Sequence, residues 1–94
     1  MDELYPDKNA PFRLQMLQLF APTRWRPSYR VALEFPEEDP KRILEYLRAL
    51  VIVGLLEKGG ERSDARYLLT DVGVVVKEML TVKHLKDIDP DYEE

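Results

Sequence analysis

Apolar residues recur at helical spacing in several stretches of this chain, and proline, glycine and acidic turns separate them. The run FRLQMLQLF places Phe12, Met16, Leu19 and Phe20 on one helical stripe, entered near Ala10-Pro11 and ended by Pro22. The segment Thr23 to Pro27 follows as a loop. A short second helix is expected from about Ser28 to Phe35, with Ser28 as its N-cap and Val31, Ala32 and Phe35 on its apolar side. The third helix has the clearest pattern. Ile43, Leu44, Leu47, Leu50 and Val51 share one face of a 3.6-residue period. Asp39 is placed to cap it, Pro40 suits its first position, and Gly54 ends it by taking the left-handed conformation.

Beyond Gly54 the pattern changes period. Leu55 to Lys58 reads as a short strand, Gly59 to Ala65 as a polar, flexible tip, and Arg66 to Leu69 as the returning strand of a hairpin. Thr70 is expected to cap a last helix running to about Leu85, with Asp71 at its positive end and Lys83 and Lys86 at its negative end. Val72, Val75, Val76, Met79, Leu80 and Val82 give that helix an apolar surface wider than one stripe. The fold class expected is α+β, mostly α: three helices, a two-stranded hairpin and a C-terminal helix.

The segment Leu47-x-x-Leu50-x-x-x-Gly54-Leu55-Leu56-x-Lys58, followed by Arg66-Tyr67-x-Leu69-Thr70-x-x-Gly73, resembles winged helix-turn-helix transcriptional regulators of the MarR, PadR and ArsR groups. The resemblance covers about Pro11 to Leu85. It implies a recognition helix over about residues 40–53, a wing over 59–65, and binding of double-stranded DNA. The chain departs from the pattern at two places. Val51, Ile52 and Val53 stand before the glycine where polar residues are usual, and Val74, Val75 and Val76 open the last helix. Exposed apolar patches of this kind mark interfaces. Self-association as a homodimer, or a protein partner, is therefore expected through Val53, Val75, Val76, Met79, Leu80 and Val82.

Charge complicates the DNA expectation. The formal net charge is −4, but five of the acids lie from Asp87 onward, so residues 1–86 carry +1. The chain therefore divides into a polar lead-in (1–9), a near-neutral domain (10–86) and an acidic tail (87–94) expected to be disordered. A near-neutral domain binds nucleic acid only if its bases gather on one face.

The residues that the resemblance assigns to DNA are Lys41, Arg42, Glu45, Tyr46 and Arg48 on the third helix. Arg24, Arg26, Ser28, Tyr29 and Arg30 are placed near the phosphates, and Arg62 and Arg66 in the wing, with Lys58 beside them. Arginine pairs bidentately with guanine, while lysine and tyrosine hold phosphates. The alternative is a solvated surface of mixed charge, because Glu37, Glu38 and Asp39 directly precede the third helix and would repel phosphates. A winged-helix protein-interaction module, an adaptor or polymerase-binding factor that does not touch DNA, is the second functional class. Trp25 between Arg24 and Arg26 is open to three roles: stacking on a base, covering a cation, or partial burial in the core.

Catalysis finds no support in the pattern. Ser28 and Ser63 are the only serines, His84 is the only histidine, and no phosphate-cradling glycine motif is present. The chain lacks cysteine, so it offers no thiolate metal site. No cofactor or metal is expected. The first residues, MDELYPDKNAP, lack the basic start and apolar core of a signal peptide, and a cytoplasmic location is expected.

Overall fold

The computed structural model describes residues 7–92. Its elements follow in the order α1 (Phe12–Gln18), β1 (Arg26–Pro27), α2 (Ser28–Glu34), α3 (Pro40–Ile52), β2 (Leu56–Gly59), β3 (Arg66–Leu69) and α4 (Asp71–Ile88). A single 3-10 turn, Arg62–Asp64, lies between β2 and β3. The three strands form one antiparallel sheet in the order β1-β3-β2. This is a small α+β domain whose layout is compatible with a winged helix.

The core lies where α1, α2, α3 and the inner sheet face meet. Met16, Leu17, Leu19, Phe20, Val31, Ile43, Leu47, Leu50, Leu56, Tyr67 and Leu69 are all buried there. Each fully buried aliphatic or aromatic side chain contributes roughly 1.5–3 kcal/mol relative to exposure. The apolar stripe of α3 is narrower than its sequence pattern. Ile43, Leu47 and Leu50 are buried and Val51 half-buried, but Leu44 is 45% exposed. It stands one residue beyond Ile43, about 100° around the helix and off the buried arc.

Both ends of α3 are chemically sealed. The Asp39 carboxylate accepts from the Lys41 backbone N–H at 3.0 Å, and Pro40 occupies the first position. At the other end Gly54 has φ +86°. Its N–H donates to the Val51 carbonyl, and the Leu55 N–H donates to the Leu50 carbonyl. These two bonds make a Schellman motif and satisfy carbonyls that a helix end leaves open.

The junction into α4 rests on Thr70. Its hydroxyl oxygen accepts from the Gly73 N–H at 2.9 Å and lies 2.6 Å from the Gly54 carbonyl, to which it donates. One side chain thus caps α4 and ties it to the end of α3. Thr70→Val keeps the branched shape and removes both bonds. It is expected to lower stability by about 1–2 kcal/mol, read as a fall of several degrees in the melting temperature. An unchanged melting curve would show that the cap contributes nothing.

Several local expectations change. Thr23 to Pro27 is not wholly a loop, because Arg26 and Pro27 pair with Tyr67 and Arg66 as a third strand. Two residues show no period, and Pro27 is tolerated because β1 is an edge strand. Ser28 is not the N-cap of α2. Pro27 holds that place without a side-chain cap, and the Ser28 N–H donates to the Ala65 carbonyl. The wing tip is not a featureless loop: it contains the 3-10 turn, and Ala65 is buried.

The ends of the domain also differ from their sequence pattern. The last helix continues to Ile88, taking Asp87 with it, and Asp89 to Tyr92 close a turn. Of the acidic tail, Glu93 and Glu94 lie outside the described residues, as does the lead-in through Pro6. The rest of the lead-in is tethered. Asp7 meets Gln18 through its backbone N–H and His84 through its carboxylate at 3.1 Å, and the Lys8 ammonium donates to the Glu34 carbonyl.

Candidate nucleic-acid interface

Helical geometry divides the outward face of α3 into two sides. Residues three and four apart share a side. Lys41, Leu44 and Arg48 therefore form one row, while Arg42, Glu45 and Ala49 form another beside Tyr46. The second row borders a shallow depression of about 410 Å³ together with Glu38 and Phe12. Arg42 thus has two carboxylates, Glu38 and Glu45, around the same hollow. Glu37 and Glu38 also line a larger hollow with Lys8, Phe12 and Gln15, toward α1 and the lead-in. The acidic turn accordingly sits on the Arg42 side of α3 rather than beside Arg48.

Tyr46 does not stand free for base contact. Its ring packs edge-on against Phe12 at 5.1 Å, and its hydroxyl accepts from the Arg13 guanidinium at 3.4 Å. Phe12 in turn packs against Phe35, so Tyr46 extends the aromatic edge of the core.

Of the other row, Arg48 lies within electrostatic reach of Tyr67 on the sheet. Register flanks Tyr67 of β3 with Arg26 of β1 and Lys58 of β2. Tyr67 is buried against Phe20, and burial raises the pKa of its phenol. Arg48 of α3 is close enough to oppose that rise electrostatically. Two bases thus flank the buried tyrosine in register, and a third, from α3, lies within electrostatic reach of it. Lys58, assigned only a flanking role from the sequence, belongs to this group through the β2–β3 register, which sequence spacing does not reveal.

Arg62 is exposed at the wing tip, with φ +52°. Arg66 has a different setting. Its guanidinium lies 5.2 Å over the Trp25 ring, on the outer face of the sheet. Trp25 is 38% exposed and covers that cation, one of the three roles open to it. Ser28 is half-buried, Arg26 is half-buried, and Arg24, Tyr29 and Arg30 are exposed in the same segment.

The apolar surface expected to bind a partner divides as well. Val53, Val75 and Met79 are 64%, 54% and 66% exposed. Val76 and Leu80 instead pack against the core, and Val82 is half-buried. Val76 and Leu80 lie on the arc of α4 that faces α1 and the sheet, a burial that the residue types alone do not assign. Exposed Val72 joins Val75 and Met79 on the outward side, and exposed Ile52 joins Val53.

His84 is far from these groups in role. It is buried on α4 and meets Asp7, whose carboxyl is held below its ordinary range first by the Asn9 N–H and further by His84. Among the described residues no group of three His, Cys, Asp or Glu is placed to hold a metal ion. Lys77 donates to the Phe20 carbonyl at 3.0 Å, and its burial lowers the pKa of its ammonium. No helix among the described residues is long and apolar enough to cross a membrane. Comparison with protein-family models, curated proteins and solved structures finds no match for this chain.

Proposed function

We propose that this domain is a sequence-specific double-stranded DNA-binding transcriptional regulator acting in the cytoplasm as a homodimer, without catalysis or cofactor. One observation carries the proposal. Lys41 and Arg48 fall outside the row of α3 that borders Glu38, and Arg48 lies within electrostatic reach of Tyr67, which Arg26 and Lys58 flank in register. A helix placed in the major groove reads base edges from its outward side, while neighbouring bases hold phosphates. The gathering of bases that a near-neutral domain needs is thus available at the junction of α3 and the wing.

The outward stripe of α4 supports the dimer. Val72, Val75, Met79 and Val82 follow at intervals of three, four and three, the spacing of a helix-pairing seam. Two copies joined there would present two recognition helices to half-sites about one helical turn of DNA apart. The same exposed residues, with Ile52 and Val53, favour the alternative, an interaction module that binds another protein and no DNA.

A salt series of binding to random duplex DNA, with the mass of the free protein measured alongside, separates the two. The regulator requires affinity that falls steeply with salt, by roughly 0.9 logarithmic units per logarithmic unit of salt for each phosphate neutralised. It also requires a mass of two chains. Absence of duplex binding at low salt assigns the domain to the protein-interaction class.

A further inference from the structure

Arg24 to Arg30 bend around a concave site of about 300 Å³ lined by Arg24, Trp25, Arg26, Pro27, Tyr29 and Arg30. Among the described residues no acidic side chain and no residue of α3 borders it. The local sequence explains this composition. β1 pairs with β3 for two residues only, then Pro27 hands the chain directly to α2, so the site is built from one turn of chain. Pairing of Pro27 with Arg66 aligns the outer faces of β1 and β3, where the Arg66 guanidinium covers the Trp25 ring.

Trp25 is a fixed ring. Arg66 lies 5.2 Å from its centroid, and Gly59 is so close to its edge that a Cβ there would stand 3.1 Å from Cζ3. It nonetheless keeps 38% of its surface open, and Tyr29 keeps 59%. Large aromatic rings are usually buried further than this in a small domain. Arg24 and Arg26 also interact with other groups of the chain.

Aromatic rings exposed among guanidinium groups match one ligand chemistry closely: a planar base attached to a phosphate. Stacking on such rings is tolerant of sequence, and adjacent cations follow the backbone. A base inside a duplex has both faces covered by its neighbours, so only an unpaired one can present a face to Trp25 or Tyr29. An acidic peptide would satisfy the arginines but leave the rings without a planar partner.

We propose that Arg24 to Arg30 bind an unpaired nucleic-acid strand, with a base stacked on Trp25 and Tyr29 and phosphates held by Arg24 and Arg30. This goes beyond duplex recognition, uses a different set of residues from α3, and stands without it.

Trp25 is the only tryptophan in the chain, so its fluorescence reports this site directly. The experiment titrates the full chain at low salt with oligothymidylate and oligouridylate of about twelve nucleotides, a length within the usual site sizes. Polyglutamate serves as a polyanion without bases. Quenching by either strand and not by polyglutamate is the expected result, and the tighter of the two strands identifies DNA or RNA as the source.

Tyr29→Ala is expected to weaken strand binding about 5- to 100-fold, measured by anisotropy of a labelled strand. Arg30→Ala is expected to weaken it and to flatten its salt dependence. Both residues are exposed, so a melting curve matching the parent is expected for each. Lys41→Ala with Arg48→Ala should leave the quenching unchanged whatever it does to duplex binding, which separates failure here from failure of the duplex proposal. Unchanged Trp25 fluorescence at about 0.1 mM strand, near the weak limit of non-specific binding, would overturn the proposal. Equal quenching by polyglutamate would overturn it too, since the site would then recognise charge alone.

Discussion

Gly73→Ala is expected to destabilise the domain by about 2 kcal/mol, although alanine is the better helix former. Two effects oppose each other. Replacing glycine within a helix gains at most about 1 kcal/mol. Against that, a Cβ at Gly73 would lie 2.2 Å from the Leu55 carbonyl oxygen and 2.7 Å from Leu69 Cδ1. The first of these atoms is backbone, and its position is fixed by a hydrogen bond from the Thr70 N–H at 3.1 Å. It cannot rotate away, so α4 must shift from the sheet. Overpacking that forces the backbone to shift typically costs about 1–3 kcal/mol. Steric exclusion therefore outweighs propensity. At roughly 4–8 °C per kcal/mol for a domain of this size, the melting temperature should fall by roughly 8–16 °C. A thermal scan showing equal or higher stability for the variant would refute the close packing of α4 on Leu55.

The second large effect concerns duplex binding. Lys41→Ala combined with Arg48→Ala is expected to weaken it by about 2–4 kcal/mol, since each base or phosphate contact of this type is worth roughly 1–3 kcal/mol. Arg42→Ala should do less, because Glu38 and Glu45 border the same hollow and already offset its charge. Both Lys41 and Arg48 are exposed, and exposed charges contribute little to folding. The melting curve of the double variant should match the parent, so a loss of affinity would be a loss of contacts. A duplex affinity unchanged in the double variant would remove α3 as the recognition element, and a larger loss in Arg42→Ala would reverse the assignment of its two sides.

The legible parts of the fold were those that local chemistry decides. Asp39, Pro40 and Gly54 bound α3, and Thr70 caps α4, because capping and left-handed backbone depend on one or two neighbouring residues. Burial of Ile43, Leu47 and Leu50 followed from their period. The returning strand followed from the hairpin pattern. Gly54 and Gly73 mark the boundary of what such patterns contain. The first is needed for its own φ, which the end of a helix announces. The second is needed because Leu55, eighteen positions earlier, happens to pass against it.

The candidate interface divides in the same way. The chain itself supplied the residue types: arginines on both sides of Trp25, bases along α3, and valines at the end of α3 and start of α4. Their grouping depended on tertiary structure. The β1–β3 pairing, too short to carry a period, set Arg26 beside Tyr67 and opened the Trp25 site. Packing of α4 on α1 and the sheet withdrew Val76 and Leu80 from the outward surface and left Val72, Val75 and Met79 there. Packing of Phe12 against Tyr46 took that tyrosine into the aromatic edge of the core. The sequence by itself thus determined both ends of α3, the start of α4 and the returning strand, because those boundaries are governed by caps and backbone hydrogen bonds within a few residues. Only the tertiary structure decided which charges share a face and which apolar residues remain uncovered, because both depend on contacts between segments distant along the chain.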